Sequence, residues 1–215
     1  MKISVLVDNP SSWIMPFAEK LVEKLSAKGY KAKLVGDMND LVLGDCAFFL
    51  GCEKIVPKKI LGLNKHNLVI HESALPQGKG WSPLTWQIIE GKNEIPITLF
   101  EAADKVDSGP IYLQDLMHFE GHELIDELRA IQGSKTVEMA LRFVDKYAKN
   151  GKQEGRVQEG KESFYPRRKP LDSEIETDKS IADLFNKFRV ADNERYPAFF
   201  KYGGHTYIIK IEKRS

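Results

Sequence analysis

A parallel β-sheet covered by helices is the architecture this chain predicts, on three observations. Short apolar runs recur at residues 3–7, 31–35, 47–50 and 68–71. Between the first two lies a segment whose apolar residues follow helical spacing. The run at 47–50, Ala-Phe-Phe-Leu, is apolar throughout instead of alternating, as strands buried on both faces are. Strands alternating with helices are the mark of βαβ units, whose crossovers bring successive strands together in parallel.

Each element has its own justification. Residues 3–7, Ile-Ser-Val-Leu-Val, form the first strand. Residues 13–28 form a helix, with Phe17, Leu21, Val22 and Leu25 on one face and Gly29 as its stop. Residues 31–35 form the second strand, and 47–50 the third, central one. Residues 55–61 form a short helix opening near Pro57, and 68–71 the fourth strand. Two extended segments follow, at 95–101 and 110–119. Residues 122–149 form one long helix, with Leu124, Leu128, Ile131, Val137, Ala140, Leu141, Val144 and Tyr147 at near-helical spacing. Gly133 inside it predicts a kink or break. Residues 150–163 are polar and glycine-rich and read as a linker, and an irregular stretch follows. A helix at 179–190 and a closing strand at 206–211 complete the chain. Residues 1–150 are thus expected to form the main domain, and 151–215 a linker and an extension packing on it.

Bulk properties narrow the function classes. The chain is 42% hydrophobic and 29% charged, ordinary for a soluble globular protein. A net charge of +1 supplies no basic field for nucleic acid. No run approaches the ~20 apolar residues that cross a bilayer. The opening MKISVLVDNP lacks the apolar length and cleavage site of a signal peptide. The cytoplasm, no membrane and no nucleic-acid partner are the expectations. Cys46 and Cys52 bracket an apolar run and read as reduced core or pocket residues. No Cys/His cluster has metal-ligand spacing, so no metal is expected.

The chemistry concentrates between Asn67 and Gln114. The strand at 68–71 delivers His71 to a polar turn, Glu72-Ser73. A loop with Pro76, Gly78, Gly80 and Pro83 follows, and the strand at 95–101 leads to a turn with Asp104, Asp107 and Gly109. An imidazole and a carboxylate at neighbouring strand ends make a proton-transfer site.

This string resembles the formyltransferases that use 10-formyltetrahydrofolate. Their pattern is Asn-x-His, then Ser-x-Leu-Pro, a glycine-containing loop, and later Asp-x-Gly. His71, Ser73, Leu75, Pro76, Gly78, Gly80, Pro83, Asp107 and Gly109 match it, while Val69 stands where the family has its Asn. The tail, with Tyr165-Pro166-Arg167-Arg168, Arg189 and Tyr196-Pro197, is similar to the segment after the catalytic core in sugar N-formyltransferases and methionyl-tRNA formyltransferase. The resemblance implies a Rossmann-like, mostly parallel sheet with flanking helices and a small C-terminal α+β extension.

It also implies roles. His71 is the catalytic base or proton shuttle and Asp107 its partner. The co-substrate 10-formyltetrahydrofolate lies against the loop of Ala102, Ala103, Lys105 and Val106, with Cys52 and Ile55 in an apolar wall. The acceptor meets Ser73, Gly78, Lys79, Gly80 and Trp81. Lys79 faces either a phosphate or solvent, and Arg167 and Arg168 either an anionic nucleotide or solvent. Trp86 is expected in the core. Val69 cannot donate the hydrogen bond that the family's Asn gives the formyl oxygen, a loss worth ~10²–10³ in rate. Ser73, a backbone N–H after Pro76, or a protonated His71 could stand in.

The expected reaction is formyl transfer to the amine of a nucleotide-linked amino sugar in surface-glycan biosynthesis. The alternatives are methionyl-tRNA or glycinamide ribonucleotide formyltransferase, or a non-catalytic folate- or sugar-binding homologue suggested by Val69. The C-terminal strands are the expected contact of a homodimer.

Overall fold

The computed structural model describes residues 1–214. Its elements run in the order β1 (Lys2–Leu6), α1 (Met15–Ala27), β2 (Lys31–Val35), β3 (Gly44–Phe49), α2 (Lys58–Leu61), β4 (Asn64–His71) and β5 (Lys79–Gly80). They continue with α3 (Pro83–Ile89), β6 (Glu94–Glu101), β7 (Ile111–His118), α4 (Ile125–Asn150) and β8 (Phe164–Tyr165). The last are α5 (Ile181–Arg189), β9 (Ala198–Tyr202) and β10 (His205–Ile209).

The main sheet has six strands in the order β2-β1-β3-β4-β6-β7. β2, β1, β3 and β4 pair in parallel; β6 and β7 add on antiparallel. The predicted mostly parallel α/β sheet is what forms. The all-apolar run of β3 takes the interior position that its composition requires, and Cys46, Ala47 and Phe48 are fully buried.

One face of the sheet presents Ile3, Val5, Phe48, Leu68, Ile97 and Leu99 to α1 and α4. Ala18, Leu21 and Leu25 of α1, and Val137, Ala140, Phe143 and Val144 of α4, complete that core. The opposite face carries Leu6, Val35, Ala47 and Phe49 beneath α2 and the loop around Val56 and Ala102. Because side chains alternate along a strand, β4 sends Leu68 to the first face and Val69 to the second.

Three expectations need correction. α4 runs unbroken through Gly133. A Cβ there would lie 2.5 Å from the Phe17 ring, so the glycine admits α1 to close contact and causes no break. Residues 150–163 are no free linker. Arg156 exchanges backbone hydrogen bonds with Ile111, and Ser163 bonds to Lys79 and Gly78. The segment is a strap laid across β7 and the loop after β4. The expected closing strand forms as β10 and pairs with β9, an element with no signal in the sequence reading. The short helix α3 likewise went unseen, and Trp86 on it gives its indole N–H to the Pro166 carbonyl at the surface.

The C-terminal part has a small core of its own, Ile175, Leu184, Phe188, Ala191 and Ala198. Arg189, 1% exposed, ties it to the main body. Its guanidinium meets Glu123 Oε2 at 2.9 Å and Asn93 Oδ1 at 2.8 Å. A pair that is both buried and fully hydrogen-bonded fixes orientation.

Candidate active site

β4 ends at His71, and its ring is 7% exposed. The Nε2 atom lies 2.8 Å from the Gly78 carbonyl. A carbonyl can only accept, so this nitrogen carries the proton. The same Nε2 is 3.8 Å from Asp107 Oδ2. Asp107 sits in the turn between β6 and β7 with φ of 50°, an uncommon conformation outside glycine that Asp tolerates better than most residues. Three contacts hold it there. The Gly80 N–H donates to Oδ2 at 2.8 Å. The Gln158 amide of the strap donates to the carbonyls of Asp107 and Gly109 at 3.0 and 2.8 Å. Gly109 packs its α-carbon on the Glu101 carbonyl so tightly that a Cβ would stand 1.8 Å from that oxygen. The Asp-x-Gly spacing therefore has a steric reason: only glycine closes the turn that aims Asp107 at His71.

His71 and Asp107 line one cleft of about 500 Å³ whose wall residues are of two kinds. Leu50, Ile55, Val69, Phe100, Ala102 and Val106 are apolar. Trp13, Glu72, Trp81, Arg129, Gln132 and Arg167 are aromatic, polar or charged. Arg167 stacks over the Trp81 ring at 4.6 Å and reaches Glu53 at 3.6 Å. Arg129 is held by Asp192 at 2.7 Å. Among the described residues no three His, Cys, Asp or Glu side chains group as a metal site, and no helix is long and apolar enough to cross a membrane.

A family model described as formyl transferase matches residues 19–140. The chain belongs to that family. Among curated relatives, the methionyl-tRNA formyltransferase of Thermotoga neapolitana is 33% identical over 144 residues, 65% of this chain and 45% of the relative. The chain thus spans about half the length of such relatives. The solved methionyl-tRNA formyltransferase from Clostridium thermocellum superposes with a TM-score of 0.79 at 24% identity, over 96% of this chain and 90% of that one. A 4-N formyltransferase from Francisella tularensis gives 0.73 at 20%, covering 100% and 98%. HypX from Aquifex aeolicus, solved with tetrahydrofolic acid, gives 0.76 at 14%, covering 96% of this chain and 36% of that one. At these identities the structural likenesses speak to the fold, and the fold is the formyltransferase fold.

Several residues that the family pattern singles out do gather at the cleft: Cys52, Ile55, Ala102, Ala103, Val106, Gly80, Trp81, Arg167 and Arg168 line it with His71 and Asp107. Four others do not. The Lys79 ammonium is 1% exposed and bound to Glu162 at 2.6 Å, so it meets neither phosphate nor solvent. Lys105 turns its ammonium to the same Glu162, 3.3 Å away. Ser73 is 2% exposed, its hydroxyl sealed away from the cleft, and cannot serve as an oxyanion donor. Gly78 contributes only the carbonyl that orients His71. Arg168 borders the cleft, but its guanidinium bonds to the Val190 carbonyl and Ser173 Oγ, both at 3.0 Å. Burial holds its pKa below the usual arginine range. It is a prop for the C-terminal segment.

Val69 faces the cleft with Phe100 and Ala102. Asn67 does not replace its missing donor, because its amide is buried against the Leu61 carbonyl at 2.9 Å. Burial pushes the Cys52 thiol up to about 12, which leaves it protonated and inert. The sequence reading missed Glu72, Arg129 and Gln132. The one available signal was adjacency for Glu72 and the i, i+3 spacing of Arg129 and Gln132 on α4, which puts both on one face.

Proposed function

We propose that this protein is an N-formyltransferase that moves the formyl group of 10-formyltetrahydrofolate to the amine of a nucleotide-linked amino sugar. The single observation that carries the reading is the His71–Asp107 pair, 3.8 Å apart in the wall of the cleft. The apolar lining suits a flat bicyclic ring: Ile55, Val69, Phe100 and Val106 offer apolar faces beside Ala102 and Ala103. The bound co-substrate would supply the formyl carbon. Family membership and the tetrahydrofolate complex of a fold neighbour support this choice. The stack of Arg167 on Trp81 in the cleft lining suits a base or sugar face with a phosphate beside it. The 4-N formyltransferase among the fold neighbours supports an amino-sugar acceptor.

Formyl transfer requires that the amine lose a proton and that the leaving nitrogen gain one. Nε2 already carries a proton toward the Gly78 carbonyl, so His71 would take and return the transferred proton on Nδ1, which has no partner among the described residues. Asp107 stabilises the imidazolium and keeps the ring from turning, with Gly78 as second anchor. Val69 gives the developing oxyanion no hydrogen bond, so a protonated His71 would stand in for the missing donor.

The test offers purified protein 10-formyltetrahydrofolate with UDP- and dTDP-linked 4-amino sugars, glycinamide ribonucleotide and Met-tRNA. Formylation of an amino sugar alone establishes the reading. Formylation of Met-tRNA, the substrate named for the curated relatives, replaces the acceptor. Folate binding without transfer to any acceptor refutes the enzyme.

A further inference from the structure

Glu72 is the cleft's one carboxyl that borders His71 along the chain and has no task so far. It follows His71 where β4 has ended, and both its ends are fixed. Gln87 of α3 donates to its backbone carbonyl at 2.6 Å. Gln132 of α4 donates to its side-chain Oε1, also at 2.6 Å. Its Oε2 has no partner among the described residues and is not among the sealed polar atoms. It therefore faces the cleft. A carboxylate accepts about four hydrogen bonds, and here one oxygen stays free beside the reacting centre. Burial pushes the Glu72 carboxyl above the usual carboxylate range, the direction that makes a carboxylate a stronger base. The charged groups around it are His71 on its own strand end, Asp107 from the β6–β7 turn, and Arg129 on α4, which Asp192 already holds.

A need meets this position. With valine at residue 69, the oxyanion relies on a protonated His71. A protonated imidazole cannot also take the proton of the amine. We propose that Glu72 is the base that accepts the acceptor amine's proton, while His71, backed by Asp107, is the acid. The inference rests on the formyl-transfer reading above. The steps balance. The amine lone pair forms a bond to the formyl carbon, and the C=O pair moves onto oxygen. One N–H proton passes to the Glu72 carboxylate. The pair returns, the bond from carbon to the folate nitrogen breaks, and that nitrogen takes the His71 proton. Glu72 then holds one proton more and His71 one fewer, and transfer between these neighbours resets the site.

The experiment measures kcat/KM against pH for wild type, Glu72→Gln and Gln132→Met. The substrates are 10-formyltetrahydrofolate and a dTDP-linked 4-amino-4,6-dideoxyhexose. Circular dichroism and tetrahydrofolate affinity serve as controls. Glu72→Gln keeps shape and folate affinity but cannot take a proton. A loss of about 100-fold is expected, together with loss of the acid limb of the profile. Gln132→Met removes a donor to the ionised carboxylate, so the acid limb moves to higher pH; a merely structural role would leave it in place. Glu72→Gln within threefold of wild type, with its acid limb intact, overturns the role of Glu72 and leaves formyl transfer standing. If Glu72→Gln does not fold, an unmoved limb in Gln132→Met overturns it instead. A wild type that formylates no amine overturns both readings.

Discussion

Replacing Gly109 with alanine tests the claim that a steric closure aims Asp107. The new Cβ would begin 1.8 Å from the Glu101 oxygen and 2.8 Å from its carbon. Non-bonded carbon and oxygen atoms need upward of about 3 Å in a close-packed interior, so the turn must retreat by more than about 1 Å. Glu101 is fixed in β6, and its N–H is bonded to the Pro110 carbonyl, so the movement falls on residues 107–109. Asp107 is two residues away and already 3.8 Å from His71. A misplacement of about 1 Å at a reacting centre costs ~100-fold in rate. The overpacking itself costs about 1–3 kcal/mol. The control is Gly36→Ala, where a Cβ meets nothing within 4 Å and the expected effect on turnover is nil. Steady-state turnover and thermal unfolding of both variants check the argument. Wild-type turnover in Gly109→Ala would refute the steric reasoning and with it the explanation of the Asp-x-Gly spacing.

Three further outcomes follow from the site and its supports. His71→Ala and Asp107→Asn each lower transfer by ~10²–10⁴-fold with melting temperatures near wild type; near-normal turnover in either removes that residue from the mechanism. Val69→Asn places an amide donor in the cleft among Phe100 and Ala102. We expect kcat to rise while stability falls by about 1–3 kcal/mol for a partly buried amide, and a fall in kcat would show that the imidazolium suffices. Lys79→Met keeps the buried stem and removes the charge, whereas Glu162→Ala strands the ammonium. Stranding a buried charge is the worse of the two, so Glu162→Ala melts lower, and the reverse order refutes the pairing argument. The hydrogen bond from Lys79, then that from Lys105, holds Glu162 below the usual carboxylate range. A depressed carboxylate stabilises above its unfolded pKa and loses that contribution as pH falls through the folded one. The protection of the amides of residues 156–165, relative to their intrinsic exchange rates, should therefore fall below about pH 4.

Much of the fold was legible because burial writes itself into sequence period. The apolar β3 and the α1 stripe of Leu21 and Leu25 have a single way to be covered. The His71 and Asp107 turns were legible because close approach leaves fixed glycines behind. What escaped is what pairing alone decides. β9 escaped, with Tyr202 exposed and no clean alternation, although its partner β10 was expected. The strap is polar because its partners are backbone groups, so its composition matches that of a free linker. Lys79 misled for a related reason: a buried lysine differs from a solvated one only by its partner, and Glu162 is 83 residues further along. Glu72 gained its place from α4, which no local pattern reports.

The strap also sets a schedule. The Gly78 N–H, neighbour to the carbonyl that orients His71, is held by the Ser163 hydroxyl, 85 residues downstream. Asp107 is steadied by Gln158. On a ribosome that releases residues in order, the sheet strands and α4 emerge before the groups that lock His71 and Asp107. A nascent chain can thus hold its central layer while that pair is still unlocked, and the proposed site is complete only once residues 156–165 lie back against the sheet.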